Sequence, residues 1–165
     1  MEQHDWNRRD SDTGGAKMKY IVVSTSDWHQ SDITPYFKDL EMAFKKISAK
    51  FPDDITPEFI VRGILSGVTM LWLVLDEDDK FIAFVTTELE VSLNGVKRVC
   101  IRHLAGKEAE IDHLVEDVLS AIEDYANSIS ADELTICGRL GWKRELKKHG
   151  YEVSYARYGR KLNHG

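Results

Sequence analysis

The chain has 165 residues, of which 42% are hydrophobic and 30% charged, and it carries a formal net charge of −6. That size and balance fit one globular domain with a sizeable core. The negative charge argues against nucleic acid or an anionic membrane surface as partner, and no apolar run approaches the ~20 residues of a membrane span.

In chain order, residues 1–17 are polar, hold a Gly14-Gly15 pair and lack the apolar stretch of a secretory signal. They read as a flexible extension ahead of a domain at 18–162. Residues 19–24, with Tyr20, Ile21, Val22 and Val23, predict a first strand. Thr34-Pro35 offers a helix start, and Phe37, Leu40, Phe44 and Ile47 make one apolar helical face. Thr56-Pro57-Glu58 repeats the start signal, and a second helix ends near Gly67.

Three strands are expected next. Residues 70–75 are continuously apolar, as in a strand buried on both faces. The acidic run 76–79 is a turn, without the spaced ligands of a calcium loop. Residues 81–90 form the third strand, Asn94-Gly95 the hairpin, and 96–103 the fourth strand, antiparallel to the third. A Gly-containing loop at 104–110 follows.

The clearest periodicity comes after it. Ile111, Leu114, Val115, Val118, Ile122, Tyr125, Ala126 and Ile129 line one helical face, with Glu116, Asp117, Glu123 and Asp124 opposite. A helix of that length returns the chain for a parallel fifth strand at 133–137. A short basic helix at 142–148 is capped by Gly150, and a last strand is expected at 151–158. Cys100 and Cys137 both lie in apolar strand-like runs and read as reduced core thiols. The sum is an α/β fold, β-α-α-β-β-β-α-β-α-β, with a sheet of mixed direction. It opens a cleft between two parallel strands with a helix N-terminus at its mouth, a common seat for a phosphate-bearing cofactor.

This order resembles the GNAT (GCN5-related N-acetyltransferase) fold. The segment Cys137-Gly138-Arg139-Leu140-Gly141-Trp142-Lys143-Arg144-Glu145-Leu146, closing on His149-Gly150-Tyr151, is similar to a C-terminal signature of small GNAT-like proteins of tailed bacteriophages. The resemblance implies acetyl-CoA in a V-shaped gap between strands 4 and 5, with Ile101, His103 and Leu104 along the strand and Arg139 at the far edge. It implies the pyrophosphate on the loop before the long helix, over Gly106, Lys107 and Ala109. Glu108 and Glu110 depart from that pattern by placing negative charge where phosphates would rest. A second departure concerns the acid that protonates the thiolate: family transferases often carry Tyr four residues before the closing Gly, and that position here is Leu146.

Two candidates for acid–base work follow. His103, at the end of the fourth strand, reads either as the group that accepts a proton from the substrate amine or as an ordinary polar strand end. Glu88 shares a strand face with Glu90 and reads either as an activator of the amine or as part of an exposed face. Tyr151 and Tyr155 read as lining of the acceptor pocket or as core or rim aromatics, Trp142 as a contact to the CoA arm or a protein partner or as a packing residue, and Lys143, Arg144, Lys147 and Lys148 as a solvated helix face or as an attractor of an acidic partner or the adenosine 3′-phosphate. Two functions remain. One is an acetyl-CoA-dependent transferase acting on a small-molecule or protein amine. The other is a non-catalytic GNAT-fold phage protein that works in virion assembly or binds a host protein, in the host cytoplasm or the virion.

Overall fold

The computed structural model describes residues 20–138 and 142–164, and for residues 108–112 the backbone alone. The expectations for residues 1–17 and for Arg139 lie outside the described residues. Elements run β1 Ile21–Ser24, α1 Gln30–Ile33, a 3-10 turn at Thr34–Tyr36, α2 Phe37–Lys50, α3 Pro57–Leu65, β2 Thr69–Leu75, β3 Phe81–Val91, β4 Lys97–Gly106, α4 Glu108–Ser128, β5 Glu133–Ile136 and α5 Lys143–Lys148.

The five strands form one sheet in the order β1-β2-β3-β4-β5. The first three pairings are antiparallel and β4 with β5 is parallel. Helix α4 makes the crossover that parallel neighbours require. It buries Leu114, Val118 and Ile122 against Trp72, Val74, Val85, Val99 and Ile101. Helices α2 and α3 cover the other face, where Leu40, Phe44, Ile47 and Ile60 meet Leu71, Leu73 and Phe84. The ring of Phe44 stands edge-on to that of Phe84, centroids 4.8 Å apart. A sheet covered on both sides explains the unbroken apolar runs of β2 and β3.

Local chemistry sets the ends of these elements. Thr56 Oγ1 accepts from the Phe59 amide at 3.2 Å and caps α3, with Pro57 in the first turn. Gly150, at φ 86°, closes α5: its amide bonds Lys147 C=O while the Tyr151 amide bonds Leu146 C=O, both at 3.1 Å. At the β3–β4 hairpin only Gly95 takes a positive φ, because the turn runs from Ser92 C=O to the Gly95 amide and Asn94 keeps an ordinary backbone.

Four expectations change. Helix α1 begins at Gln30, ahead of the Thr34-Pro35 signal, because the Asp32 carboxylate accepts from the His29 amide at 2.9 Å and starts it earlier. The loop expected at 104–110 is almost absent: β4 continues to Gly106, opposite Ala83 of β3, and α4 starts at Glu108, leaving Lys107 as the link. Residues 151–158 carry no strand. Tyr151 is tied to α4, its hydroxyl donating to Glu123 at 2.7 Å, and residues 152–164 are exposed. Their β-formers lack a neighbouring strand to pack against, and without one β-propensity decides little. Finally, Cys137 is exposed rather than core, and only Cys100 is buried.

Candidate functional site

The site begins with one extra residue. Thr86 of β3 faces His103, whereas the next residue, Thr87, faces Ile101, so Arg102 has no counterpart and forms a β-bulge. A bulge bends its strand and sharpens the twist. On the other edge of β4 the pairing with β5 ends at the same level. Pairing with β5 runs from Arg98–Glu133 to Ile101–Ile136, and its last bond is from the Cys137 amide to Ile101 C=O at 3.0 Å. From Arg102 to Gly106, β4 has no β5 partner. Pairing with β5 therefore ends where β4 is bulged, and the edge of β4 from Arg102 toward the start of α4 has no strand partner among the described residues, leaving a gap beside it.

The ladder alternation fixes which backbone groups face that gap. The Lys107 amide bonds Ile82 C=O on β3 at 2.9 Å. Alternate residues of an antiparallel strand turn their amides to opposite edges. Leu104 and Gly106 therefore aim N–H and C=O away from β3 and into the gap, and the Gly106 carbonyl accepts from Lys46 Nζ at 2.9 Å. Gly106 has no room for a side chain: a Cβ there would lie 2.2 Å from Ile82 O and 2.5 Å from Ala83 Cα. This glycine serves the close approach of β3 and β4. Beyond it, the first-turn amides of α4 lack intrahelical partners and carry the positive end of a 21-residue helix dipole.

A polar cluster borders the gap on the sheet face shared with α2 and α3. Arg102 is its centre. Its Nε donates to Glu88 Oε2 at 3.1 Å, Nη2 donates to Glu90, and Nη1 lies 3.2 Å from Cys137 Sγ. Thr69 Oγ1 donates to the other oxygen of Glu88 at 3.3 Å. Beside this group, His103 Nδ1 is 2.6 Å from the hydroxyl of the fully buried Thr86. Burial lowers the pKa of His103; Glu88 partly opposes that and Arg102 reinforces it. The imidazole is therefore neutral at neutral pH. In the tautomer whose Nδ1–H donates to Thr86, the lone pair lies on Nε2, the arrangement a proton acceptor needs; in the other, the Thr86 hydroxyl donates to Nδ1.

The expected site residues divide into three groups. His103 and Glu88 come together in the polar cluster. Leu104, Gly106 and Lys107 line the parting edge of β4 and its link to α4. Ile101 lies at the apex of the gap, where its side chain is in the α4 core and its carbonyl accepts from the Cys137 amide. Ala109 sits in the first turn of α4, and Arg139 lies outside the described residues. Arg102, Thr86, Thr69 and Cys137 were not among the expected site residues. Strict alternation would put His103 and Arg102 on opposite faces, and nothing in the residue pattern announces the bulge that brings them together. Leu146 packs against the α4 core, Trp142 joins it, and Tyr155 is exposed.

No protein-family model and no curated protein matches the sequence. Solved structures do match by shape. A Pyrococcus furiosus protein proposed to be an acetyl transferase superposes with a TM-score of 0.66 at 13% identity, covering 87% of this chain and 100% of its own. A GNAT family acetyltransferase of Staphylococcus aureus gives 0.61 at 13% identity, with 88% and 100% covered. Glucosamine-6-phosphate N-acetyltransferase of Arabidopsis thaliana gives 0.57 at 13% identity, with 88% and 99% covered. At such identities the likeness establishes architecture: the chain has the fold of GNAT acetyltransferases.

Proposed function

We propose that this chain binds acetyl-CoA in the gap between β4 and β5 and transfers the acetyl group to an amine. The observation that carries the reading is the end of β4–β5 pairing at Arg102, which leaves the β4 edge open beside the N-terminus of α4 and a neutral His103. The pantetheine arm pairs with the edge groups of Leu104 and Gly106. The pyrophosphate takes the first amides of α4 with Lys107, against the opposing charge of Glu108 and Glu110. His103 Nε2 receives the proton of the attacking amine. The N–C bond forms as the C–S bond breaks, and an edge amide of β4 stabilises the oxyanion between. With Leu146 at the family acid position, CoA departs as thiolate. Glu88 holds Arg102 in this scheme and reaches the amine through water.

A second reading is favoured by a specific pair of observations: the half-buried Leu146 packs against the core and two glutamates open α4. It is a GNAT-fold protein without catalysis that binds a protein partner. The Gly138-Arg139-Leu140-Gly141-Trp142 signature supports a phage source for either reading, with the host cytoplasm or virion as its place. One experiment separates them. At 100 times its dissociation constant, acetyl-CoA should stabilise the fold by about 2.7 kcal/mol, read as a rise in Tm. Transfer to a panel of small amines and peptides should then fall about 10²–10⁴-fold in His103→Ala, with the thermal shift kept. No shift at millimolar acetyl-CoA removes the enzyme reading, and a shift without transfer to any amine favours the second.

A further inference from the structure

Cys100 and Cys137 stand 37 residues apart in sequence, yet their sulfur atoms are 3.4 Å apart. Cys100 lies opposite Thr135 in the β4–β5 register, and Cys137 is two residues further along. Both side chains therefore rise from the same sheet face. The pair sits at the apex of the gap, where the Cys137 amide makes the last bond between the strands.

The two thiols have different surroundings. Cys137 is exposed and receives the guanidinium Nη1 of Arg102 at 3.2 Å. Cys100 is buried and bonds weakly to its own strand, Sγ to Ile101 O at 3.7 Å. Burial pushes its thiol up to about 11, so it stays protonated and unreactive until a neighbour offers an electrophilic sulfur. An exposed sulfur beside a buried thiol is the division of labour between an attacking and a resolving cysteine.

We propose that Cys137 and Cys100 are a reversible thiol-oxidation site that takes a hydroperoxide at Cys137 and closes to a disulfide across the apex of the β4–β5 gap. Cys137 thiolate attacks the peroxide O–O bond, giving a sulfenic acid and, after protonation, water (or an alcohol). The Cys100 sulfur then attacks Cys137 Sγ, and its proton leaves with the displaced hydroxide as water. Two thiols are oxidised by two electrons and one peroxide is reduced. An external dithiol reverses the step by exchange. Bond formation requires the sulfurs to close from 3.4 Å to about 2.05 Å. Cys137 can supply that travel because it lies just beyond the last paired residue of β5, Ile136.

The test treats the full chain with stoichiometric hydrogen peroxide and reads intact mass and maleimide-accessible thiols after denaturation. The wild type should lose both thiols together within one molecule, gain no oxygen, and regain both with dithiothreitol. Cys100→Ser should instead accumulate a sulfenic acid at Cys137 that dimedone traps. Cys137→Ser should keep its remaining thiol at the same dose. Oxygen addition at Cys137 with Cys100 still reduced, disulfide-linked dimers, or persistence of both thiols in the wild type would overturn the proposal. None of these readouts requires acetyl-CoA, so this inference and the acetyltransferase reading stand or fall separately.

Discussion

Single residues settle how much of the cleft is built rather than incidental. Gly106 is the clearest case, since its missing Cβ lets β4 lie against Ile82 and Ala83 of β3. Gly106→Ala should destabilise the fold by about 1–3 kcal/mol through overpacking, read as a lower urea midpoint with unchanged m. Such a variant therefore reports on packing, not on cofactor contact. His103 makes a different kind of claim. Its folded-state pKa is depressed, so the unfolded chain takes up a proton near pH 6.5 and the folded chain only at lower pH. Between those values the unfolded state binds more protons, and stability falls as pH falls through that window. An NMR titration of the ring should show a midpoint below 6.5 that moves when Thr86 is replaced by Val, and transfer activity should be flat above it. A ring that titrates above 6.5 would remove the base assigned here.

At the scale of elements, the bulge at Arg102 joins three facts that would otherwise be separate: the register shift against β3, the end of β5 pairing, and the shared face of Arg102 and His103. Arg102 also keeps Glu88 and Glu90 apart in charge, because both carboxylates end on its guanidinium. Arg102→Ala should cost about 1–2 kcal/mol and widen the gap, seen as faster amide exchange at Cys137. Here the sequence was legible in part. Periodicity placed α4, the hairpin residues placed β3 and β4, and Gly150 placed the end of α5, because each depends on contacts within a few residues. Alternation placed Glu88 and Glu90 on one face, as Arg102 bonding to both confirms. The bulge was hidden, since it depends on which β3 residue pairs with which β4 residue. So was the closeness of Cys100 and Cys137, which only the β4–β5 register creates.

At the scale of the molecule, the sheet is covered on both faces by helices, and its core is complete by Tyr151. The segment after it contributes little. Val153, Tyr155, Tyr158 and Leu162 are 52%, 79%, 92% and 70% exposed, and the ion pair from Lys161 Nζ to Asp53 is long, at 3.7 Å between exposed groups. Surface pairs of that kind are worth next to nothing. A chain lacking residues 153–165 should therefore keep its Tm and urea midpoint, with a change within about 0.5 kcal/mol. Alternation in 151–158 suggests a strand, but a strand is stabilised by its neighbours, and the described residues supply none on that side of β5. If the truncated chain instead loses ~2 kcal/mol or more, the tail must pair with the sheet in solution. The gap beside α4 would then have a sixth strand as its far wall.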